Sequence, residues 1–295
     1  MTTRILTDSE RVYRRTVSRI PGNILVYVIL IVGTVIALFP FYWMISSSLK
    51  ENWEILSFPP TLWPHTLTFT HYQSVLSTIG IVRAFINSIV VVASRVFIVL
   101  MVALITGYSL AKLRFPGREV LFVLVLALMM VPGQIYLIPL FLLVNHYGWI
   151  DTYAALIIPG AINSFSIFLM RQAFLSVPND YIDAALVDGA GHFRILFKIG
   201  LPMVAPMVLT LVLVNAFWSW NDFIWPFIVI VRDEMSTLPV LLARFARLLT
   251  GPVGRNIRYG EVMAAATLTS LPILVVFLLI QRMFVESLTM TGLKG

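Results

Sequence analysis

The chain has 295 residues, 59% of them hydrophobic and only 12% charged, with a mean hydropathy of +0.91 and a net charge of +7. Soluble domains carry about 25% charged residues, so this chain lacks the polar surface that water requires and a soluble globular class is excluded. Its arginines are dispersed without the aromatic interleaving that single-stranded nucleic acid needs, so nucleic acid is not an expected partner; the absence of cysteine excludes disulfides and thiolate metal sites.

Arg4, Arg11, Arg14, Arg15 and Arg19 precede the first apolar run. That run, Ile24 to Ser46, holds 23 residues without a charge, and about 20 suffice to cross a bilayer core. It exceeds a signal-peptide core, and no small-x-small cleavage site follows it. A retained span behind a basic tail over 1–20 is therefore expected. Further charge-free blocks predict spans near 84–111, 120–144, 152–171, 201–230 and 262–282. A polar, aromatic connection containing Phe58-Pro59-Pro60 and Trp63-Pro64-His65 separates the first two, and a partly helical one, Arg232 to Glu261, separates the last two. Pro40, Pro132, Pro139, Pro159, Pro206, Pro226 and Pro272 fall inside these blocks, where each removes a backbone donor and leaves a carbonyl to be satisfied by a neighbouring helix or by water. They read either as functional kinks or as the ordinary proline content of membrane helices. No repeat or linker stands out, so one all-α integral membrane domain over 1–295 is expected, with a six-helix core at 24–282.

Placing the N-terminus inside puts thirteen of the 21 basic residues on one side: five at the N-terminus, Lys112, Arg114 and Arg118, then Arg171, Arg194 and Lys198, then Arg282 and Lys294. The other side holds seven, and Arg95 lies within the second span. Under the positive-inside rule this favours both termini inside. Five arginines in the 232–260 connection weaken the asymmetry without reversing it.

The segment 176–200 interrupts the apolar pattern. Pro178-Asn179-Asp180 offers a helix start, with Asn179 or Asp180 able to cap the first amides. A short helix follows from Tyr181 to Asp188, Gly189 and Gly191 interrupt it, and a second helix over Phe193 to Ile199 returns to Leu201-Pro202. Such a knob suits docking into another protein, with Ala184 and Ala185 permitting close approach. An amphipathic connector on the membrane surface has the same shape.

Asp183-Ala184-Ala185, Asp188-Gly189-Ala190 and Ile199-Gly200-Leu201-Pro202 fall at the spacing of the EAA loop, and the segment resembles that cytoplasmic loop of ATP-binding-cassette importer permeases. Asp183 stands where the family usually has Glu, which keeps the charge and shortens its reach. The resemblance extends through Gly107-Tyr108-Ser109-Leu110-Ala111-Lys112, Val131-Pro132-Gly133-Gln134, Arg171-Gln172, Trp220-Asn221-Asp222-Phe223, Thr237-Leu238-Pro239 and Gln281-Arg282-Met283-Phe284-Val285 to nearly the whole chain. It is similar to the carbohydrate-uptake group, the type of the maltose importer's G subunit. The resemblance implies a permease working by alternating access with no ATP site of its own. Its partners would be a separate ATPase dimer that binds ATP and Mg, a second homologous permease, an extracytoplasmic solute-binding protein, a saccharide and the lipid of a bacterial or archaeal plasma (inner) membrane. Coupling to the ATPase would run through Asp183, Ala184, Ala185, Asp188, Gly189, Ala190, Arg194 and Pro202.

The sequence itself carries no Gly-x-x-x-x-Gly-Lys-Ser/Thr phosphate loop, no nucleophile elbow and no metal spacing among His65, His71, His146 and His192. Catalysis within the chain is not expected. Polar residues inside spans tend to face a pore or another helix. Asn215, Trp218, Ser219, Trp220, Asn221 and Asp222 are the substrate-path candidates, with Asn163, Ser164 and Ser166 nearby; tying helices together is the alternative for each. Arg95 must pair or reach water and is expected to pack between helices. The arginine excess of 232–260 suggests a mouth that attracts an acidic saccharide, an acidic binding protein or lipid phosphates. An ion-gradient-driven transporter would use pore and prolines equally well.

Overall fold

Without water to take up amide and carbonyl groups, an apolar chain satisfies its backbone most readily as helix, and every regular element of the described residues is helical. The computed structural model describes residues 8–78, 80–250 and 258–292. Arg4, Arg255 and Lys294 of the sequence analysis lie outside them. In order, the helices are α1 Asp8–Ser48, α2 Asn52–Ile55, α3 Thr70–Thr78, α4 Ile81–Lys112, α5 Arg118–Met129, α6 Leu137–His146, α7 Tyr153–Ile157, α8 Ser164–Leu175, α9 Asn179–Val187, α10 His192–Ile195, α11 Leu201–Met203, α12 Ala205–Trp220, α13 Ile224–Val229, α14 Leu238–Thr250 and α15 Tyr259–Gly292.

Among the described residues, two stretches are long and apolar enough to cross a membrane unbroken, Ile24–Ser48 and Ile81–Lys112. Three predicted spans are not continuous. The 120–144 block turns through 91° between α5 and the 3-10 turn leading into α6, because Pro132 cannot extend the hydrogen-bond ladder and disfavours helical angles at Val131. The 152–171 block breaks at Pro159-Gly160 between α7 and α8, and the 201–230 block breaks after Trp220. A further 85° bend separates His192–Met203 from α12. The prolines sort accordingly. Pro40 and Pro272 sit in continuous helices, whereas Pro139, Pro206 and Pro226 occupy first turns, where a missing amide costs nothing.

Contacts divide the chain into two compact units: α1, the 49–72 segment and residues 258–267 form the first, and 73–250 with the chain from 268 onward the second. In the first, Lys50 is 1% exposed and still satisfied. Its Nζ donates to the Thr61 carbonyl and lies 4.6 Å from the centre of the Trp43 ring. Burial pushes the Lys50 ammonium below the usual lysine range, opposed by the Glu54 carboxylate. Glu54 accepts from Thr61 Oγ1 at 2.9 Å and from the His65 amide at 3.0 Å. In the second unit α4 runs through the centre and packs mainly on α8 and α12, with α5 on α8 and α14 on α4. The Met170 side chain and backbone leave no room for a Cβ at Gly107, which lets α4 and α8 approach closely.

Candidate functional site

The 179–195 hairpin is shaped by its own residues. Pro178 enters extended and α9 starts without a side-chain cap. The expected capping role of Asn179 is not realised, because its Oδ1 accepts from Lys112 Nζ at 2.7 Å. The same ammonium donates to the Val177 carbonyl at 2.6 Å, so Lys112 joins the end of α4 to the start of α9. Helical spacing sends Ile182 and Ala185 into the chain's own core, leaving Tyr181, Asp183, Ala184, Leu186, Val187 and Asp188 outside. Ala185 is thus an inward contact and not one offered to a partner.

At the end of α9 the Ala190 amide donates to Ala185 O (2.9 Å) and the Gly189 amide to Leu186 O (3.0 Å). These two bonds make a Schellman cap. It requires the φ of +81° that Gly189 adopts. Gly191, in contrast, has φ −73° and ψ 154°, open to any residue. Beyond α10 a π-helical turn, Leu196–Gly200, leads to α11, where Pro202 is exposed at the second position. The hairpin rests on Tyr108, which meets Phe174 edge-on at 5.5 Å and reaches His192 Nδ1 at 3.2 Å. Its surface is unusual for a polar knob: Val187 is 88% exposed, and Tyr181, Phe193 and Arg194 are exposed as well.

The second feature is a half-open cleft of ≈ 220 Å³ in the second unit, lined by Arg95, Gly160, Asn163, Asn215, Trp218, Ser219 and Asp222, with Val96 and Val99. Arg95 Nη1 donates to Asp222 Oδ2 at 2.7 Å across 127 residues of sequence. The guanidinium packs over Gly160, where a Cβ would collide with it. Asn215 donates to Ser166 Oγ (3.0 Å) and to Leu211 O (2.9 Å), so it also joins α12 to α8.

Against this geometry stand the likenesses to known proteins. Residues 100–290 match the family described as binding-protein-dependent transport system inner membrane component. The chain belongs to this family. The permease is 35% identical to the arabinooligosaccharides transport system permease protein AraQ of Halalkalibacterium halodurans, covering 88% of this chain and 92% of that one. It is 31% identical to the diacetylchitobiose uptake system permease protein NgcG of Streptomyces coelicolor, over 89% and 86%. In structure it matches a chain of a bacterial ABC transporter involved in the import of the acidic polysaccharide alginate, with a TM-score of 0.80, 25% identity and coverage of 95% and 99%. Its apolar helices are those of a membrane-embedded transport component, and its relatives are permeases, not enzymes.

The predicted residues of the permease separate into groups. Asn215, Trp218, Ser219 and Asp222 line the cleft together. Trp220 instead meets Phe85 edge-on at 6.1 Å, and Asn221 folds back to the Phe217 carbonyl at 2.8 Å. Gly160 was the missed member; the Pro159-Gly160 pair is a break signal that an apolar block disguised as a kink. The cationic mouth also changes. Asp151 accepts from the Val231 and Arg232 amides at 2.7 and 3.0 Å, Arg244 pairs with Asp233 at 2.8 Å, and Arg258 pairs with Glu261. Most of the described arginines there have carboxylate partners, and Asp151 was invisible as the partner of Arg232 because it comes from another connection.

Proposed function

We propose that this permease is one translocation subunit of an ATP-driven, binding-protein-dependent saccharide importer. Its helices make six spans with both termini at the cytoplasmic face of a bacterial or archaeal plasma membrane, each broken helix counted within one span. The distribution of basic residues supports that orientation. Two ATPase subunits holding ATP and Mg, a second homologous permease and an extracytoplasmic solute-binding protein complete the assembly.

One observation carries this reading: the α9–Gly189–α10 hairpin presents apolar Tyr181, Val187 and Phe193 beside Asp183, Asp188 and Arg194. Exposed apolar groups rimmed by charge mark a protein-docking surface. Closure of the ATPase pair around this knob moves the helices behind it, and Lys112, Tyr108 and the π-turn pass that movement to α4 and α12. The relatives' saccharides support the substrate class. An acidic saccharide gains support from the likeness to the importer of the acidic polysaccharide alginate and loses it from the pairing of Arg232, Arg244 and Arg258. An ion-gradient transporter would use the broken helices and the Arg95–Asp222 pair equally well, yet leaves the hairpin's apolar surface without purpose. Affinity purification of the tagged chain from native membranes tests the reading. Recovery with a nucleotide-hydrolysing subunit and a second permease is expected, and recovery of the chain alone with full transport activity contradicts it.

A further inference from the structure

The first unit carries a connection whose surface is inverted. Directly after α1, residues 49–72 hold three charged side chains, Lys50, Glu51 and Glu54, and two of them, Lys50 and Glu54, are buried. Glu51 stays outside, where its carboxylate accepts from Trp53 Nε1 at 2.6 Å. Apolar groups take the surface instead: Trp53, Leu56, Phe58, Leu62, Trp63 and Leu67 are each 59% exposed or more. Water selects the opposite arrangement for charged and aromatic side chains, so this surface is built to meet something apolar.

The connection also returns to the span it leaves. Ser46 Oγ and Tyr42 OH both donate to the Leu62 carbonyl, at 2.8 and 2.7 Å. At 1.5 Å per residue those anchors lie about 3 and 9 Å before the end of α1 at Ser48, so Leu62 and Trp63 sit beside its last two turns. Lys50 donates to the Thr61 carbonyl, and Glu54 accepts from Thr61 Oγ1 and from the His65 amide. The two buried charges thus fix the 61–65 backbone from within while the Leu62 and Trp63 side chains stay out.

This level is that of a membrane boundary. The 25 residues Ile24–Ser48 run about 37 Å, roughly 7 Å more than a hydrocarbon core of about 30 Å. Tyr42 and Trp43 stand in the same turns of α1, with Phe39 stacked on Trp43 at 6.2 Å, and Tyr and Trp are enriched where membrane meets water. Trp63 Nε1 has no acceptor among the described residues. Its indole therefore combines an exposed apolar body with an unspent donor, which suits the boundary between acyl chains and headgroups.

We propose that Leu62 and Trp63 form a membrane foot, inserted at the headgroup–acyl boundary of the leaflet in which α1 ends, with the phospholipid surface as its partner. A soluble protein that binds and leaves meets a polar, charged rim around its contact, and this connection offers Glu51 alone. The foot fixes the depth and rotation of α1, as interfacial tryptophans do. It requires that α1 cross the bilayer and requires neither ATP coupling nor a particular substrate.

The test uses the assembled transporter in nanodiscs of phosphatidylethanolamine and phosphatidylglycerol. The chain has no cysteine, so a nitroxide at Trp63→Cys reports one site, and Leu62→Cys replaces it if that variant does not assemble. Paramagnetic resonance saturation reads its collisions with oxygen, which concentrates in lipid, and with a water-soluble nickel chelate. Oxygen collisions should exceed those with nickel. A nickel rate equal to or above the oxygen rate puts the site in water and overturns the foot. Low rates with both reagents put it under protein, whether the second permease or the binding protein, and overturn it as well. Uptake by the same labelled transporter keeps the two readings apart: transport with a water-exposed label removes the foot and leaves the import function standing.

Discussion

Replacing Gly189 by valine should disconnect ATP hydrolysis from transport, and the size of the effect follows from the backbone. A Cβ at this position meets nothing within 4 Å, so crowding is not the cause. The cost lies in the φ of +81°, which for an L-residue costs about 1–2 kcal/mol and is most hostile to a β-branched side chain. The chain can escape by opening the turn, but then forfeits the Ala190 and Gly189 amide bonds, about 0.5–1.5 kcal/mol each. The cheaper route sets the cost, about 1–2 kcal/mol taken from the docking-competent hairpin, roughly a 5- to 30-fold loss of its population. Uptake per membrane-resident transporter should fall by that order while nucleotide hydrolysis continues. Gly189→Asn should be intermediate, since Asn tolerates the left-handed region. Gly191→Ala should be silent, its φ of −73° being ordinary and its surroundings open. Paired measurements of uptake and hydrolysis on quantified membranes decide the matter. Wild-type uptake by Gly189→Val, or equal damage from Gly191→Ala, refutes the reasoning.

Two further predictions concern the outer connections. Burial would raise the Asp151 carboxyl, but the Arg232 and Val231 amides and the Arg232 and Arg244 guanidiniums outweigh it and hold the group below its ordinary value. A depressed folded value means stabilisation present above roughly pH 3.9 and lost as pH falls through the lower folded value. Asp151→Asn, which tolerates the local φ of 62°, should flatten the acid limb of thermal stability in detergent; an unaltered limb would show that the carboxylate contributes nothing. For topology, single cysteines at Phe58 and Glu234, both exposed, should react with an impermeant thiol reagent from outside, and one at exposed Ser176 should not. Ser236, an obvious sequence choice in the same connection, is fully buried and unsuitable. Labelling of Ser176 from outside would invert the orientation.

What the sequence revealed and concealed follows from the range of each interaction. The charge-free blocks and the hairpin were legible because their signals are local: Pro178, Gly189 and Leu201-Pro202 punctuate a helix wherever it folds. The breaks at Pro132 and Pro159 were legible only as kinks, since the angle a proline imposes depends on what packs beside it. Long-range pairings were not legible. Nothing near Arg95 names Asp222, 127 residues away, and nothing near Arg232 names Asp151. Facing was lost where adjacent residues diverge: Ala184 points out and Ala185 points in, a matter of helical register against a core assembled from α4 and α8. Asn179 fits every rule for a cap and is taken instead by Lys112, a side chain 67 residues earlier.

The central claim is that ATP held by partner subunits, and no ion gradient, drives transport through this chain. The direct measurement is saccharide uptake by sealed right-side-out vesicles carrying the assembled transporter, loaded with ATP and Mg, with binding protein outside and all ion gradients collapsed by ionophores. Uptake should persist under those conditions and stop when ATP is replaced by a non-hydrolysable analogue. Uptake that needs an imposed ion gradient and proceeds without ATP would contradict the account.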